Sequence, residues 1–326
     1  MSYDVIIVNY NGEKILERTL ESVYASDPRP NAVIVYDNAS TDKSCEVIRR
    51  AFPQVDLMEG PKNIGFGPGN NAATARAASE FILFMNNDLI LDRRCAAELM
   101  AALERDPEAA IVNPMIYGGW DLDRRDRIYS FGATINTAGF GYSLTDAGED
   151  RADLSCFSGA CLMARTSVMR ENPFQPRYFL YYEEPELSVR LMRRGLRVAR
   201  RGAACCWHYV NYSTKGQSPS GIAFRQYHGV KNRWFMIGRY WPWRLMPWAL
   251  FANSGHLAYV LAFQLVHRQW KFLPLAWHAP MEWFAGVFRR GGAPRNPGWF
   301  RKLTRTPVSL YLALGREVFG LKKKSS

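Results

Sequence analysis

The sequence predicts an α/β protein with a mostly parallel central sheet and helices on both of its faces. Short β-branched runs alternate with segments of helical periodicity over the first ninety of the 326 residues. This alternation is typical of doubly wound sheets, which bind ligands beyond the carboxyl ends of their strands. With 48% apolar and 22% charged residues, the chain can also form a sizeable core.

Each element follows from the spacing of apolar residues. Strands are predicted at 3–8 (YDVIIV), 32–36 (AVIVY), 55–59 (VDLME) and 80–85 (EFILFM). Helices are predicted between them in EKILERTLESVYA, DNASTDKSCEVIRRAF and GNNAATARAA. Two later helices are predicted in RRCAAELMAAL and in EEPELSVRLMRR. Pro185 suits the first turn of the last helix, and Gly195 suits its end.

Polar residues follow all four strands, in NYNG, DNAS, GPKNIGFGPGNN and NND. Because parallel strands share one carboxyl edge, these segments are expected to form a single crevice. Asp88 lies there between apolar runs, in ILFMNNDLIL, and a buried carboxylate is costly unless it is paired or holds a cation. Beside Asn86 and Asn87 it suits a hard divalent cation that would hold a diphosphate. The alternative is a turn residue, with Asp92 capping the next helix.

The positive charge is concentrated in the last part of the chain. The net charge is +12, and residues 236–326 contain fourteen basic and two acidic residues, so residues 1–235 are balanced. Eight of the ten tryptophans lie between 234 and 299, among leucines and basic residues. That mixture suits the headgroup zone of an anionic membrane, and the closing LKKKSS adds charge. We therefore predict a first domain over 1–235 and a helical, membrane-associating region over 236–326.

Residues 248–267 (WALFANSGHLAYVLAFQLVH) are long enough to span a bilayer. Asn253, Ser254, His256 and Gln264 argue against a simple lipid-facing span, so an interfacial or hairpin-like insertion is predicted. One alternative is a helical subdomain whose tryptophans pack on the first domain. Another is a nucleic-acid-binding protein that uses the basic aromatic region. It is disfavoured because the aromatics lie in apolar stretches and the first domain is charge-balanced, so no nucleic-acid partner is expected.

The six cysteines form no C-x-x-C pair and show no zinc spacing. Free thiols in a reducing cytosol are therefore expected. The N-terminus enters a strand directly, without the charged and apolar pattern of a signal peptide. Together these features predict a protein on the cytoplasmic side of the membrane.

Seven segments, in order, resemble the signatures of family 2 glycosyltransferases with the GT-A fold, and most closely the rhamnosyltransferase-like branch of bacterial polysaccharide synthesis. They are VIIVNYNG, VYDNASTD, NIGFGPGNNAA, LFMNNDLIL, FSGACLMART, YFLYYEEPELSVRLMRRG and CCWHYVNYST. The resemblance covers residues 3–235 and implies that 1–235 is a Rossmann-like GT-A catalytic domain. It implies inverting transfer of a sugar, possibly rhamnose, from a nucleoside-diphosphate sugar to a lipid-linked (polyprenyl diphosphate) glycan. The enzyme would be peripheral or monotopic, on the cytoplasmic face of the inner membrane.

The resemblance also assigns the donor site. Asp37 would contact the nucleotide base, and the other donor contacts would be Val8, Asn9, Tyr10, Asn63, Gly65, Asn70 and Asn87. Gly65 would let the backbone approach the ligand closely. The Q-x-x-R-W motif of processive enzymes is absent, so one sugar is expected per encounter.

The metal and the catalytic base are assigned in the same way. Asp88 matches the last acid of a D-x-D-like motif, and His208 would join Mg²⁺ or Mn²⁺, or the diphosphate. Glu184 matches the base, although the family has Asp there, and the helix N-terminus would keep it ionised. Ser158, Gly159 and Glu183 would face the sugar and acceptor.

These residues also have simpler explanations. His208 would otherwise be a packed core residue, and the acids around Glu184 would cap a helix. A sugar nucleotidyltransferase could use the same nucleotide crevice, but it would release diphosphate.

Overall fold

The computed structural model describes residues 1–119, 121–209 and 218–304, so the end of the CCWHYVNYST motif and the LKKKSS tail lie outside the described residues. The chain divides into two compact units. The first comprises Met1–Thr134, Tyr142–Lys215 and Pro294–Trp299, and the second comprises Ile135–Gly141, Gly216–Ala293 and Phe300–Ser326.

The described strands are β1 (Tyr3–Asn9), β2 (Ala32–Asp37), β3 (Asp56–Glu59), β4 (Phe81–Asn86), β5 (Leu89–Leu91), β6 (Ala109–Gly118), β7 (Ile128–Ser130), β8 (Ala133–Ile135), β9 (Gly141–Ser143), β10 (Arg151–Leu154), β11 (Cys161–Arg165) and β12 (Arg197–His208). The described helices are α1 (Leu16–Tyr24), α2 (Ser44–Ala51), α3 (Phe66–Thr74), α4 (Cys95–Arg105), α5 (Thr166–Glu171), α6 (Glu183–Arg194), α7 (Pro219–Tyr240), α8 (Met246–Val266) and α9 (Leu275–Phe288). Every strand and helix predicted in the first unit is present.

The central sheet of the first unit runs in the order β10-β12-β6-β11-β4-β1-β2-β3, with β5 beside β12 and β7 beside β6. β3, β2, β1 and β4 are mutually parallel, and so are β6 and β12. β11 lies between these groups and is antiparallel to both β4 and β6. The mixed α/β architecture with a mostly parallel sheet is therefore confirmed, and β1 lies near its centre.

The core lies on both faces of this sheet, as side-chain alternation along β1 shows. Val5 and Ile7 join a buried cluster with Leu16 of α1 and Leu99 of α4. Ile6 points to the opposite face and joins a second cluster. Helices α3, α5 and α6 contribute to this second cluster. The period-two pattern of β1 thus fixes helices on both faces.

The second unit contains α7, α8 and α9, which confirms the predicted helical region. Its buried side chains include Val230, Trp234, Val260 and Leu275. Among the described residues one helical segment, Trp243–Val266, is long and apolar enough to cross a membrane. Helix α7 continues through residue 235, and the domain division proposed there from the sequence stays a prediction.

Candidate active site

The carboxyl ends of β1, β2 and β4 are joined by side-chain hydrogen bonds. Asn9 lies opposite Asp37 in the parallel register of β1 and β2. The Asn87 amide donates to Asn9 Oδ1 at 2.7 Å, and Asn9 Nδ2 donates to Asp37 Oδ1 at 2.8 Å. These strand ends therefore form a connected polar edge in the first unit, and a ligand crevice at this edge stays a prediction.

Asp37 uses its carboxylate to hold the loop that follows β2. It accepts hydrogen bonds from the Ser40 backbone N–H at 2.8 Å and from the Ser40 hydroxyl at 2.6 Å, and it is buried. The sequence predicted that Asp37 follows the second strand. It gave no indication that Ser40 holds the Asp37 carboxylate in place. The contact between Asp37 and a nucleotide base stays a prediction.

The glycine-rich loop is tied to the same edge by Asn38, a residue that was not assigned from the sequence. Asn38 Nδ2 donates to the Gly65 carbonyl at 3.1 Å, and Asn38 Oδ1 accepts from the Ile64 N–H at 2.9 Å. Asn63 Oδ1 accepts from the Gly65 N–H at 2.9 Å. Gly65 has a φ of +92°, and a Cβ there would come within 2.5 Å of the Phe179 carbonyl oxygen. Only glycine fits this position without strain.

The remaining donor-side residues occupy different environments. Val8 packs closely against α3, since a Cβ at Gly69 would lie 3.1 Å from its methyl groups. The Asn70 amide donates to the Phe66 carbonyl within α3 at 3.0 Å, so it supports the helix. Tyr10 is 49% exposed. An exposed aromatic ring beside a polar crevice is able to stack on a base.

Asp88 and His208 form a buried pair. Asp88 Oδ1 lies 2.9 Å from His208 Nε2, although 120 residues separate them in the chain. Asp88 occupies the turn between β4 and β5, and His208 ends β12, opposite Leu89 in the antiparallel register of β12 and β5. The Tyr209 N–H also donates to the Asp88 carbonyl at 2.9 Å. Strand pairing thus fixes the position of both side chains.

Asp88 and His208 can supply two protein ligands to a divalent cation, whose other ligands would come from a bound diphosphate and from water. A carboxylate is a suitable donor for Mg²⁺ or Mn²⁺, an imidazole suits Mn²⁺ better than Mg²⁺, and such ions take their remaining ligands from phosphates and water. Among the described residues no group of three or more His, Cys, Asp or Glu side chains is placed to hold a metal. The Nδ1 atom of His208 is buried without a hydrogen-bond partner in the described part of the chain, so the ring is oriented through its Nε2 contact with Asp88.

Helix α6 presents two adjacent carboxylates at its first turn. It begins at Glu183, directly after Tyr181 and Tyr182, which both have positive φ values of 64° and 73°. Such conformations cost about 1–3 kcal/mol each in bulky residues and are concentrated at functional sites. The backbone is therefore held in an unfavourable conformation where the predicted base is presented.

The pKa values of both carboxyl groups of this pair are raised. Burial raises the pKa of Glu184, and burial together with the neighbouring charge of Glu184 raises the pKa of Glu183 well above its usual range. From the sequence, the helix N-terminus was expected to keep Glu184 ionised. Desolvation raises this pKa while a backbone hydrogen bond of Glu184 lowers it, and ionised Glu184 stays a prediction. Glu186, by contrast, is paired with Arg190 at 2.9 Å and has a structural role.

The loop before β11 lies against Glu184. A Cβ at Gly159 would overlap the Glu184 carboxylate, so any side chain at this position would force that carboxylate to move. Asn113 of β6 fixes this loop by donating to the Ser158 carbonyl at 2.9 Å and accepting from the Ser158 N–H at 3.0 Å. The structure thus brings together Ser158, Gly159 and Glu184, while Asn113 was not assigned from the sequence.

Tyr129 packs against His208, and its pKa responds to both Asp88 and Glu184. Its ring meets the His208 ring edge-on at a centroid distance of 4.7 Å. Its pKa is raised, first by burial and then by the nearby charges of Asp88 and Glu184. Nothing in the short segment RIYSF distinguishes this tyrosine, because its position depends on the pairing of β7 with β6.

Comparison with known proteins identifies the class. The family model described as glycosyl transferase family 2 matches residues 4–172. The chain belongs to this family, as the sequence resemblance indicated.

One relative and two solved structures are similar to the chain over most of its length. It is 24% identical to the N-acetylglucosaminyl-diphospho-decaprenol L-rhamnosyltransferase of Mycobacterium tuberculosis over 278 residues, which cover 76% of this chain and 88% of the relative. The structure of GalNAc-T7 with UDP, GalNAc and Mn²⁺ matches with a TM-score of 0.62 at 15% identity, over 82% of this chain and 54% of that one. A mannosyltransferase from Pyrobaculum calidifontis, solved with GDP-Man and Mn²⁺, matches with a TM-score of 0.52 at 18% identity, over 88% and 86%. At these identities the two structures establish the GT-A fold.

Proposed function

We propose that this glycosyltransferase catalyses the inverting, non-processive transfer of a sugar from a nucleoside-diphosphate sugar to a hydroxyl of a lipid-linked glycan in bacterial envelope polysaccharide synthesis. The observation that carries the proposal is the arrangement of the first unit. Tyr129 packs edge-on against His208, the partner of Asp88, and the charges of Asp88 and Glu184 both raise its pKa, which supports a metal site and a base on either side of this tyrosine. An inverting transfer needs these two groups on opposite sides of the anomeric carbon.

The acceptor class is supported by the mycobacterial relative. Its name specifies a decaprenol diphosphate-linked acceptor and rhamnose as the sugar, and the match spans most of both chains. Rhamnose and a polyprenyl diphosphate glycan are accordingly our first candidates for donor sugar and acceptor. A lipid-linked acceptor places the reaction at a membrane, on the cytoplasmic face in our proposal, where nucleotide sugars are supplied.

The mechanism follows from the residues. Asp88 and His208 would hold a divalent cation, which when bound stabilises the charge of the leaving diphosphate. Glu184 takes the proton of the acceptor hydroxyl as that oxygen forms its bond to the anomeric carbon and the bond to the diphosphate oxygen breaks. A raised pKa makes Glu184 a stronger base than an ordinary carboxylate, provided that the pH lies above that pKa. Glu183, whose pKa is raised by burial and by the charge of Glu184, would lie beside the base on the sugar and acceptor side.

A screen of nucleotide sugars tests the donor side. The thermal unfolding temperature of the full chain is measured with UDP-, GDP- and dTDP-sugars, each with Mn²⁺ and with a chelator. We expect one nucleotide class to stabilise the protein, and to do so more strongly with Mn²⁺, because binding to the folded state raises stability.

A product assay then tests the reaction. With the selected donor and a polyprenyl diphosphate glycan, nucleoside diphosphate should accumulate in equal amount to the extended glycan. Release of inorganic diphosphate from a sugar phosphate and a nucleoside triphosphate would instead identify a nucleotidyltransferase and contradict the proposal.

A further inference from the structure

Helix α9 exposes a stripe of large apolar side chains. Trp277, Met281, Phe284 and Phe288 recur at helical spacing and lie on one side of the helix. Their exposed fractions are 75, 65, 54 and 86%. In a water-soluble protein such a stripe faces the core. In α9 the buried positions are instead occupied by Leu275 and by the small residues of the helix.

Helix α8 also exposes large apolar side chains and buries polar ones. Its exposed residues are Pro247, Trp248, Phe251, Ser254, Gly255, Ala258, Ala262, Leu265 and Val266. The helix contains no Lys, Arg, Asp or Glu. Asn253 and Gln264 are fully buried, so these polar side chains point into the unit. Of the four polar residues that argued against a simple lipid-facing span, Asn253 and Gln264 thus lie away from the outer face, while Ser254 is exposed on it.

The packing between α7 and α9 is of the kind that lipid favours. A Cβ at Gly238 would overlap the Trp283 carbonyl, and a Cβ at Gly286 would overlap the Phe235 carbonyl. The two backbones thus approach through glycines, while large apolar side chains point outward. Helices that associate in a bilayer use small residues at their interfaces, because lipid already solvates the large ones.

Basic residues flank both exposed stripes. Arg244 precedes α8, Arg268 and Lys271 lie between α8 and α9, and Arg289 follows α9, all four exposed. The sequence contains one acid between residues 236 and 316, Glu282. Positive charge at the ends of apolar helices matches the phosphates of an anionic bilayer.

We infer that the outer faces of α8 and α9 are covered by an anionic lipid bilayer, which receives their apolar side chains while the flanking arginines meet lipid phosphates. We call this surface the docking face and define it by Trp248, Phe251, Trp277, Met281, Phe284 and Phe288. The inference is independent of the proposed reaction, because every residue that carries it belongs to the second unit.

A second copy of the chain fits the docking face less well than lipid. Contact between two copies would bring the Arg244, Arg268 and Arg289 flanks of both into one interface. Like charges across an interface oppose association, and the single acid Glu282 cannot balance them.

Vesicle flotation of the full chain tests the inference, without donor or acceptor. Vesicles of phosphatidylethanolamine with phosphatidylglycerol are compared with vesicles of phosphatidylcholine alone. The wild type should float with both and more strongly with the anionic vesicles, and salt should remove only that difference. The double variant Phe284→Ser/Phe288→Ser should lower the partition coefficient about tenfold or more, since two large apolar groups no longer enter the bilayer.

Two controls test whether the effect is specific to the docking face and whether the variants are folded. The matched control is Leu122→Ser, which removes an exposed apolar side chain from the first unit and should leave flotation unchanged. Thermal unfolding of each variant checks the fold, and Trp277→Ser replaces the double variant if the latter unfolds. Equal flotation of wild type and folded docking-face variants would overturn the inference. So would a wild-type dimer in light scattering that fails to float and that the docking-face variants dissociate.

Discussion

The two units of this protein expose different kinds of side chain. In the first unit, the large apolar residues that reach solvent are scattered: Met1, Tyr10, Leu122 and Tyr181. In the second unit most of them lie on α8 and α9, and Phe224, Trp243 and Trp270 lie outside these two helices. The first unit instead gathers polar groups at one sheet edge, where Asn9 and Asp37 satisfy each other.

Charge shows the same contrast. The first 235 residues are balanced, and the whole surplus of +12 lies beyond them. A crevice for a phosphorylated ligand needs particular groups at particular positions, whereas a surface for anionic lipid needs exposed apolar side chains and an excess of positive charge without a fixed arrangement. The first unit is thus organised around specific hydrogen bonds, and the second unit, in our inference, around contact with lipid. Four substitutions test this contrast.

The largest effect is expected for Asp88→Ala. Transfer should fall below detection and Mn²⁺-dependent nucleotide binding should disappear, because the buried pair with His208 is lost. Isothermal titration with nucleotide and Mn²⁺ measures the binding, and circular dichroism checks the fold. His208→Ala should give a smaller loss of the same kind. Full activity of Asp88→Ala, or equal wild-type activity in chelator, would contradict the metal site.

Glu184→Gln is expected to lose roughly 10²–10⁴-fold in turnover with normal donor binding, the usual worth of a general base. The matched control in the second unit is Glu282→Gln, which should keep full turnover on an acceptor without lipid. In the wild type, kcat should rise with pH through an inflection above the ordinary carboxylate range, since burial raises the pKa of Glu184. If Glu183→Gln abolished turnover while Glu184→Gln retained it, the catalytic base would be Glu183 and not Glu184.

Gly159→Ala should displace the base without removing it. The new methyl group would overlap the Glu184 carboxylate and force it to move. A displacement of about 1 Å costs up to about 10²-fold in rate, so a loss of tenfold to hundredfold is expected. The kcat should fall while donor affinity is retained. Gly291→Ala, at an open position in the second unit, is the control, and an equal loss there would indicate a general effect on the fold.

The smallest effect concerns stability and pH. The pKa of Glu183 is raised in the folded state, so the folded protein holds a proton that the unfolded chain releases. Stability from this group is present below the ordinary carboxylate pKa and is lost as pH rises through the folded pKa. Glu183→Gln should therefore flatten the fall of unfolding temperature with rising pH. An unchanged pH profile would show that Glu183 is ionised in the folded protein.

The elements of the first unit and part of its site are predictable from the amino-acid sequence. Apolar periodicity locates β1, β2 and β4, and a parallel sheet requires that their carboxyl ends share one edge. Asn9, Asp37 and Asp88 can therefore be grouped from the strand pattern alone. The family motifs add Glu184 and Gly159, which the structure brings into contact.

The meeting of distant residues, by contrast, depends on the tertiary structure. His208 reaches Asp88 through the register of β12 on β5, and no local pattern encodes pairing across 120 residues. Tyr129 depends in the same way on β7 and β6. Burial also raises the pKa of Glu184, because desolvation depends on everything that surrounds the helix end.

The outward face of α8 is likewise a result of packing. The sequence shows an apolar helix interrupted by Asn253 and Gln264, and composition does not say whether such groups point inward or outward. In the structure they are buried while Trp248 and Phe251 are exposed. Helical periodicity fixes which residues share a side, but only the contacts made by α7 and α9 determine which side faces the surroundings.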